Sequence, residues 1–294
     1  MTSLIERLVN VNFNRPNADK PYDGGAYADN TQLTERKVES THFDLLNGDR
    51  VYEYYIKSAG LQDLEGLRIL HISDTQFRKN KLLKCEYAKL LQYEYFDLIL
   101  HTGDIVQSSE NDFTSEHENF LRGLNAKLGK FYILGNHDRR GKLDQLQQKM
   151  DKTGFQELTN KNINLNYNGK EFNIIGLDEP IYGQPNIESA FADVNEDDRN
   201  IVITHNLDVL TNNVPKCIDL VLSGHTHAGE FNLGRVANGI NYLKLVGLFE
   251  DLNQQIKGFK QLTDRTLSFI HPATYSRVPR IGIPKQGYVI HNFV

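Results

Sequence analysis

Four short polar segments, far apart in the chain, carry side chains of the types that bind metal ions. They are Asp74-Thr75-Gln76, Gly103-Asp104, Gly135-Asn136-His137-Asp138 and Gly224-His225-Thr226-His227, with His205 ahead of the last segment. Imidazole and carboxylate groups with an amide oxygen suit Mn, Fe, Zn or Co. Their combination predicts a metal site with hydrolytic chemistry.

Each polar segment follows a stretch rich in apolar and β-branched residues, which favours a strand. The predicted strands span residues 67–73, 96–100, 130–134, 200–204 and 218–223. Loops that follow neighbouring strands meet at one edge of a sheet, where open α/β sheets usually bind ligands. We therefore expect these side chains to converge on one rim.

The ligand types indicate two metal ions rather than one. Hydrolysis of a phosphate ester needs concentrated positive charge and a preformed hydroxide, and two ions a few ångströms apart supply both. One carboxylate must bridge such a pair, and Asp104 is the predicted bridge. The first ion is expected to bind Asp74, Asp104 and His227, and the second Asp104, Asn136, His205 and His225.

His137 follows a predicted ligand, and we expect its ring to face the leaving-group side of the metal pair. As a cation it could stabilise the phosphoryl oxygens, or it could protonate the departing alkoxide. Arg78 and Arg139 are candidates to bind a phosphate oxygen, because a guanidinium forms paired hydrogen bonds with such anions. The alternative for both arginines is a solvated surface charge, which is the commoner role of long basic side chains.

The other histidines are expected to be structural: His42, His71, His101, His117, His271 and His291. Two of them, His71 and His101, fall in predicted buried strands, where the ring nitrogens usually find partners. Asp178 and Glu179 follow another predicted strand. They could orient a ligating imidazole, although a solvated acidic pair is equally common there.

Length and composition fit a globular protein with a large core, since the 294 residues are 39% hydrophobic and 24% charged. The formal net charge of -5 gives no overall attraction to nucleic acid or to an anionic membrane surface. Cys85 and Cys217 form no disulfide framework. No stretch reaches the ~18 to 20 apolar residues of a membrane span and no signal peptide is recognisable, so we expect a cytoplasmic protein without a transmembrane segment.

The remaining elements predict two β-sheets that face each other with helices outside. Helices are expected at 80–95, 115–128 and 142–152, and further strands at 51–56, 163–167, 171–175, 241–246 and 287–293. Asn168-Gly169 is typical of a tight hairpin turn. Residues 1–45, rich in Asn, Asp, Gly and Tyr, are expected to form an irregular N-terminal arm.

The polar segments, in this order, resemble the calcineurin-like metallophosphoesterase superfamily, whose members carry D-x-H, G-D, G-N-H-D/E, H and G-H-x-H. The likeness covers residues 67–227 and is greatest to the YkuE-like bacterial branch of small metal-dependent phosphohydrolases, which the tail 276–284 also resembles. The resemblance implies an α/β (α+β) fold, a four-layer αββα sandwich of two mixed β-sheets flanked by helices. It also implies a dinuclear metal centre at the rim of a metallophosphoesterase domain spanning 46–294.

The chain departs from the family pattern in two places. Gln76 stands where the family usually has a histidine, and its amide oxygen could still bind the first metal as a weaker, neutral ligand. The stretch after Gly103-Asp104 has Gln107 and lacks the second Asp that orients the catalytic histidine of protein serine/threonine phosphatases. A phosphoprotein phosphatase is therefore disfavoured.

These features predict a metal-dependent phosphoric ester hydrolase, a phosphodiesterase or phosphomonoesterase. It would use two divalent or trivalent ions (Mn, Fe or Zn) and a metal-bridging hydroxide for in-line attack on phosphorus. The expected partner is a small phosphorylated substrate, with no nucleic acid. Open alternatives are a pyrophosphatase acting on a nucleotide-sugar lipid, a nuclease, which the acidic balance disfavours, and a non-catalytic scaffold, which the retained ligands disfavour.

Overall fold

The computed structural model describes residues 36–44, 50–79, 91–210, 214–227, 258–275 and 287–294, which form two β-sheets with short helices. The strands are β1 Arg36–Asp44, β2 Arg50–Ser58, β3 Arg68–Ile72, β4 Tyr95–His101, β5 Asn125–Tyr132, β6 Phe155–Glu157, β7 Lys161–Tyr167, β8 Lys170–Leu177, β9 Arg199–Thr204, β10 Leu220–Ser223, β11 Gly258–Gln261, β12 Leu267–Ile270 and β13 Gly287–Phe293. The α-helices are α1 Ser115–Arg122, α2 Leu143–Asp151 and α3 Ile187–Ala190, and 3₁₀ helices span Ala59–Leu64, Glu110–Asp112, Asp138–Arg140 and Leu207–Leu210.

Both sheets are mixed. The first has the strand order β1-β2-β13-β3-β4-β5-β6, and the second has the order β11-β12-β10-β9-β8-β7. Strands β3 to β6 run parallel to one another in the first sheet, as do β8, β9, β10 and β12 in the second. The antiparallel pairs β1–β2, β11–β12 and β7–β8 lie at sheet edges, and inside the first sheet β13 runs antiparallel to β3. Each sheet therefore gathers the carboxyl ends of its consecutive parallel strands on one side.

A continuous apolar layer joins the two sheets. Ile69, Leu98 and Leu100 of the first sheet belong to the same buried cluster as Ile201 and Leu222 of the second. Neighbouring residues along the strands point to the opposite faces, as the two-residue period of a strand requires. Helices α1 and α2 pack on the outer face of the first sheet, and α3 packs on that of the second. The predicted sandwich of two mixed sheets with outer helices is confirmed.

Most of the predicted elements are present. Strands β3, β4, β9 and β10 match the predictions within a few residues, and β13 and α2 match theirs closely. The Asn168-Gly169 turn joins β7 to β8 with φ of 53° and 84°, the positive values that a type I′ hairpin turn requires. Residues 80–90 of the helix predicted at 80–95, the strand predicted at 241–246 and the tail 276–284 lie outside the described residues.

The helix predicted at 115–128 is too long. It ends at Arg122, with Gly123 as the C-cap, and β5 begins at Asn125, which pairs with Tyr95 of β4. The helical spacing continues across this junction because Leu124, just before the strand, is buried in the same cluster as Phe120 and Leu121 of the helix. None of the helices in the described ranges is long and apolar enough to cross a bilayer.

Part of the segment expected to be an irregular arm has regular structure. Arg36–Asp44 forms β1 and pairs antiparallel with β2 along its whole length, from Arg36 opposite Ser58 to Asp44 opposite Arg50. This pairing satisfies backbone groups at the edge of the first sheet, which the polar composition of the segment does not reveal. Residues 1–35 lie outside the described residues, so the boundary at residue 45 stays a prediction.

Three buried histidines, His71, His271 and His291, pack together near the rim. His71 Nδ1 lies 3.3 Å from His291 Nε2, and His71 Nε2 lies 2.9 Å from the Thr102 hydroxyl. The His71 and His271 ring centroids are 4.7 Å apart. Burial and the neighbouring His271 hold the pKa of His71 well below its usual value, and the same causes lower the pKa of His291 to about 3. His71 and His291 are therefore neutral packing elements, in line with the structural role predicted for them.

The neutral state of His291 predicts that acid destabilises the fold. Its pKa of about 3 in the folded protein lies below the usual 6.5, so its contribution to stability is complete above pH 6.5 and is lost as the pH falls toward 3. Over that range this residue should lower the free energy of unfolding by ~1.4 kcal/mol per pH unit.

Urea unfolding at pH 7 and pH 5 measures this loss. His291→Phe keeps a ring against Tyr54, which stacks on His291 in the native protein, and against Phe269, which meets it edge-on. The variant should lose less stability than the wild type between the two pH values. An equal loss in both proteins would contradict the neutral, buried state assigned to His291.

Candidate metal centre

The predicted metal ligands all follow the carboxyl ends of strands. Asp74 and Gln76 follow β3, Asp104 follows β4, Asn136 and His137 follow β5, His205 follows β9, and His225 and His227 follow β10. Strands β3, β4 and β5 are parallel neighbours in the first sheet, and β9 and β10 are parallel neighbours in the second. The structure brings these side chains together at one rim, where the two sheets meet.

Hydrogen bonds between the sheets fix the rim. Thr274 N donates to the Ser73 carbonyl at 2.8 Å, and His205 Nδ1 donates to the Thr102 carbonyl at 2.8 Å. The second bond matters for chemistry, because a carbonyl oxygen can only accept. It therefore places the proton of neutral His205 on Nδ1 and leaves the Nε2 lone pair directed at the site.

The backbone at five of the ligand positions adopts a left-handed conformation. The residues with φ between 40° and 68° are Asp74, Gln76, Asp104, His225 and His227. Such φ values are uncommon for residues other than glycine, and strained positions of this kind concentrate at functional sites. The loops are therefore bent to aim their side chains at the rim, at a cost of order 1 kcal/mol each.

One group of polar atoms lies around Asp74. Its Oδ1 is 3.1 Å from His227 Nε2, and its Oδ2 accepts hydrogen bonds from the Ser73 hydroxyl at 2.6 Å and from His225 N at 3.2 Å. The side-chain amide of Gln76 lies 3.4 Å from the same nitrogen of His227. Gln76, predicted as a weaker ligand, is thus buried beside the first group.

A second group lies around Asn136. Its Oδ1 is 3.1 Å from His205 Nε2 and 3.1 Å from His225 Nδ1, and these two nitrogens are 3.3 Å apart. When His205 is neutral its proton lies on Nδ1, so its Nε2 and the Asn136 oxygen present lone pairs to each other. A cation placed among these three atoms would satisfy them all, so the donor set fits a metal ion.

Asp104 lies between the two groups. One carboxylate oxygen of Asp74, one of Asp104 and a ring nitrogen of His205 all lie within 4.8 Å of one another. Asp104 Oδ1 is 3.4 Å from His205 Nε2, and both carboxylates are almost fully buried. Two buried anions so close together require compensating positive charge. The arrangement therefore fits metal ions bound beside Asp104.

The neighbouring histidines keep both carboxylates ionised. Burial tends to raise the pKa of Asp104, but the charge of His205 lowers it to about 2. Burial tends to lower the pKa of His205, but Asp104 raises it to about 10. For Asp74, burial likewise opposes ionisation, yet His227 brings the pKa below its usual range. Both acids are thus deprotonated, which is the state that binds a metal.

His137 is oriented by Gln107, a residue whose role the sequence analysis missed. His137 Nδ1 donates to the Gln107 carbonyl at 2.7 Å, while Nε2 lies 3.9 Å from Asp104 Oδ2. Arg78 Nη2 donates to Gln107 Oε1 at 2.6 Å. A backbone carbonyl thus takes the place of the missing second Asp. The only available signal was the position of Gln107 just after the Gly103-Asp104 segment.

The two predicted substrate-binding arginines have protein partners. Arg78 contacts Gln107 and lies 5.9 Å from the Tyr275 ring. Arg139 pairs with Asp178 at 2.5 Å and with Glu179 at 3.6 Å. The sequence left open a role for Asp178 and Glu179 in orienting a ligating imidazole. In the described residues they instead bind Arg139 and backbone amides of their own loop, so this hypothesis is wrong for these contacts.

Two glycines allow the backbone to lie in contact with the buried carboxylates, where a side chain would not fit. A Cβ atom at Gly135 would lie 2.3 Å from both the backbone nitrogen and Oδ1 of Asp104. At Gly224 a Cβ atom would lie 1.9 Å from the Ser73 hydroxyl and 2.4 Å from Asp74 Oδ2. Neither contact is possible without moving a carboxylate, so these glycines set the packing of the metal centre.

Comparison with known proteins identifies the family. The family model for calcineurin-like phosphoesterases matches residues 67–229, which include every side chain of the site described above. The chain therefore belongs to the calcineurin-like phosphoesterase family and is a metal-dependent phosphoester hydrolase.

Several similar proteins are bacterial. Bacillus subtilis YkuE, an uncharacterized metallophosphoesterase, is 29% identical over 71% of this chain and 72% of its own. YkoQ of the same organism, also an uncharacterized metallophosphoesterase, is 26% identical over 64% of this chain and 70% of its own. The UDP-2,3-diacylglucosamine pyrophosphatase LpxG of Chlamydia muridarum is 27% identical over 63% of this chain and 71% of its own.

The close approach of Gly135 to Asp104 predicts that Gly135→Ala weakens metal binding. The added methyl group displaces the Asp104 carboxylate. We therefore expect Mn²⁺ affinity, measured by titration calorimetry, to fall by roughly tenfold or more, as it does when residues that support metal ligands are changed in other proteins. Gly60→Ala is the matched control, because Gly60 lies in the 3₁₀ helix Ala59–Leu64 away from the rim and the nearest atom to its Cβ position is Asp219 Oδ1 at 3.1 Å. Equal Mn²⁺ affinity in both variants would contradict the assignment.

Proposed function

We propose that this protein hydrolyses small phosphomonoesters or phosphodiesters at a dinuclear metal centre, by in-line attack on phosphorus without a covalent phosphoenzyme. The observation that carries the proposal is the position of Asp104 between two groups of ligand atoms, one around Asp74 and one around Asn136. A carboxylate in this position can contact two cations at once.

Two ions would be held by different sets of side chains that share Asp104. The first set is Asp74, Asp104 and His227, with Gln76 beside them, and the second is Asp104, Asn136, His205 and His225. Mn, Fe and Zn all suit these ligands. When bound, such ions supply positive charge against the phosphate oxygens and lower the pKa of the attacking water.

His137 is proposed to act on the leaving group. Its Nδ1 proton is held by the Gln107 carbonyl, so Nε2 is the atom left to face the substrate. The side chain is partly exposed while Asp104 beneath it is buried, which places His137 between the metal ligands and solvent. When the ring is a cation with a proton on both nitrogens, Nε2 can donate a hydrogen bond to a phosphoryl oxygen or transfer its proton to the departing oxygen.

A second candidate is cleavage of a pyrophosphate bond, supported by the similarity to the C. muridarum pyrophosphatase LpxG. A phosphodiester and a pyrophosphate both place an oxygen leaving group opposite the attacking water, so the described site serves either reaction. Relative kcat/KM values for a chromogenic phosphodiester and for a UDP-sugar separate them. In both cases the proposed substrate is a small phosphorylated molecule and not a nucleic acid.

Turnover should depend on metal and on the two central side chains. Purified protein with added Mn²⁺ is expected to cleave bis(p-nitrophenyl) phosphate, and chelation or Asp104→Ala should abolish cleavage. His137→Ala should lower kcat by about 10²- to 10⁴-fold for an alkyl phosphate, the usual contribution of a general acid, and by much less for bis(p-nitrophenyl) phosphate, whose leaving group needs no proton. Tyr93→Ala, a change at a residue 64% exposed, serves as the control. Full activity after chelator treatment and desalting would refute the proposal.

The contact of Arg78 with Gln107 predicts a role in positioning His137. Arg78→Ala should reduce kcat by roughly tenfold for an alkyl phosphate, whose leaving group needs a proton, and much less for p-nitrophenyl phosphate. Arg78→Lys can still donate to Gln107 Oε1 and should restore part of the loss. Equal losses with both substrates would show that Arg78 acts in some other way.

A further inference from the structure

A polar cavity of about 530 Å³ lies beside the metal centre. Its lining includes Arg139, Asn160, Asp178, Tyr182 and Gln184. Arg139 belongs to the 3₁₀ helix Asp138–Arg140, which directly follows His137, so the cavity begins on the side of the site where the leaving group is expected.

The sheet register places the cavity at the same level as the ligands. Leu177, the last residue of β8, pairs with Thr204, the last residue of β9. Asp178 and His205 therefore leave adjacent strands side by side, and such strands are about 4.8 Å apart. A substrate with its phosphate at the metal centre can extend a neighbouring group into this cavity.

Buried side chains hold the wall of the cavity in a fixed shape. Asp178 Oδ2 accepts a hydrogen bond from Gln184 N at 2.8 Å. The carboxylate of Glu179 accepts bonds from Ile181 N at 2.7 Å and from Tyr182 N at 2.8 Å. Because two buried carboxylates hold the backbone of this loop, the wall of the cavity is already formed before a ligand binds. A ligand therefore binds without a large entropy cost for ordering the loop.

Asn160 fastens the other end of the same loop. Its Oδ1 accepts from Asp178 N at 3.2 Å and from Asn186 N at 3.0 Å, and its Nδ2 donates to the Gln184 carbonyl at 2.8 Å. The loop 178–186 is thus closed across its base by one side chain. This closure leaves Tyr182 on the outside, with 61% of its surface exposed next to Ile181, which is 48% exposed.

The charge of the cavity disfavours an anionic ligand. The single cation, Arg139, is paired with both Asp178 and Glu179, so these three groups together carry one net negative charge. A second phosphate or a carboxylate would be repelled. Neutral hydroxyl groups can instead bond to the amide and carboxylate groups, and the exposed Tyr182 ring offers an apolar face to a sugar-like ring.

We propose that this cavity is the subsite for the alcohol portion of the substrate, and that it selects a neutral, polyhydroxylated group such as a sugar or an inositol. Tyr182 is the specificity-determining residue, since its ring covers one face of that group. This inference rests on the proposed phosphohydrolase function and narrows its substrate class.

The kinetic test compares myo-inositol 1-phosphate with ethyl phosphate in the presence of Mn²⁺. Tyr182→Ala keeps the backbone amide that bonds Glu179, and it should lower kcat/KM for the inositol ester about 5- to 10-fold more than for the ethyl ester. The loss should lie mainly in KM, and Tyr182→Phe should restore it. Tyr95→Ala, at the far end of β4 from the rim and 79% exposed, is the matched control.

A binding measurement separates this inference from the proposed function. Saturation-transfer NMR with free myo-inositol should give a signal in the wild type and in Tyr95→Ala, and a much weaker one in Tyr182→Ala. Two results would overturn the subsite but leave the hydrolase proposal standing. In the first, Tyr182→Ala lowers turnover of both esters equally. In the second, the protein binds adenosine in preference to myo-inositol. Absence of any phosphate release by the wild type, with myo-inositol still bound at Tyr182, would overturn the hydrolase and leave the cavity as a polyol site.

Discussion

The structure depends on the burial of two carboxylates, Asp74 and Asp104, where the two sheets meet. A buried anion is tolerated only with charge or hydrogen bonds around it, and two anions within a few ångströms need more than either sheet can provide. Each sheet therefore contributes a share: the first gives the carboxylates and Asn136, and the second gives His205, His225 and His227. The candidate metal centre is therefore complete only when the two sheets pack against each other.

The loops of the rim are held in backbone conformations of high free energy, and the rest of the fold stabilises them. Left-handed backbone conformations at five ligand positions, and glycines where a Cβ would strike a carboxylate, are unfavourable unless surrounding structure enforces them. The apolar layer between the sheets supplies that enforcement, because its strands end directly at the ligands. Two of the buried histidines nearby, His71 and His291, add packing without adding charge.

Sequence reasoning predicted which side chains meet at the rim, but not how the neighbouring residues support them. Ligand types, their order and the preceding β-branched stretches are local properties, so the strands and the positions of Asp104 and His205 followed from the sequence. The support of His137 by the Gln107 carbonyl could not be predicted, since a backbone group has no sequence signature. The pairing of Arg139 with Asp178 and Glu179 depends on a contact between the ends of β5 and β8, which lie in different sheets. The start of β5 was hidden because the apolar spacing of helix α1 continues to Leu124, which lies just before the strand and is buried in the same cluster.

The most direct test is anomalous diffraction from crystals of the protein grown with Mn²⁺. Two anomalous peaks a few ångströms apart, with one carboxylate oxygen of Asp104 on each, are the predicted result. A single peak held by Asp74 and His227 alone, or peaks that leave Asp104 without a metal contact, would contradict the account of a bridged pair at the rim.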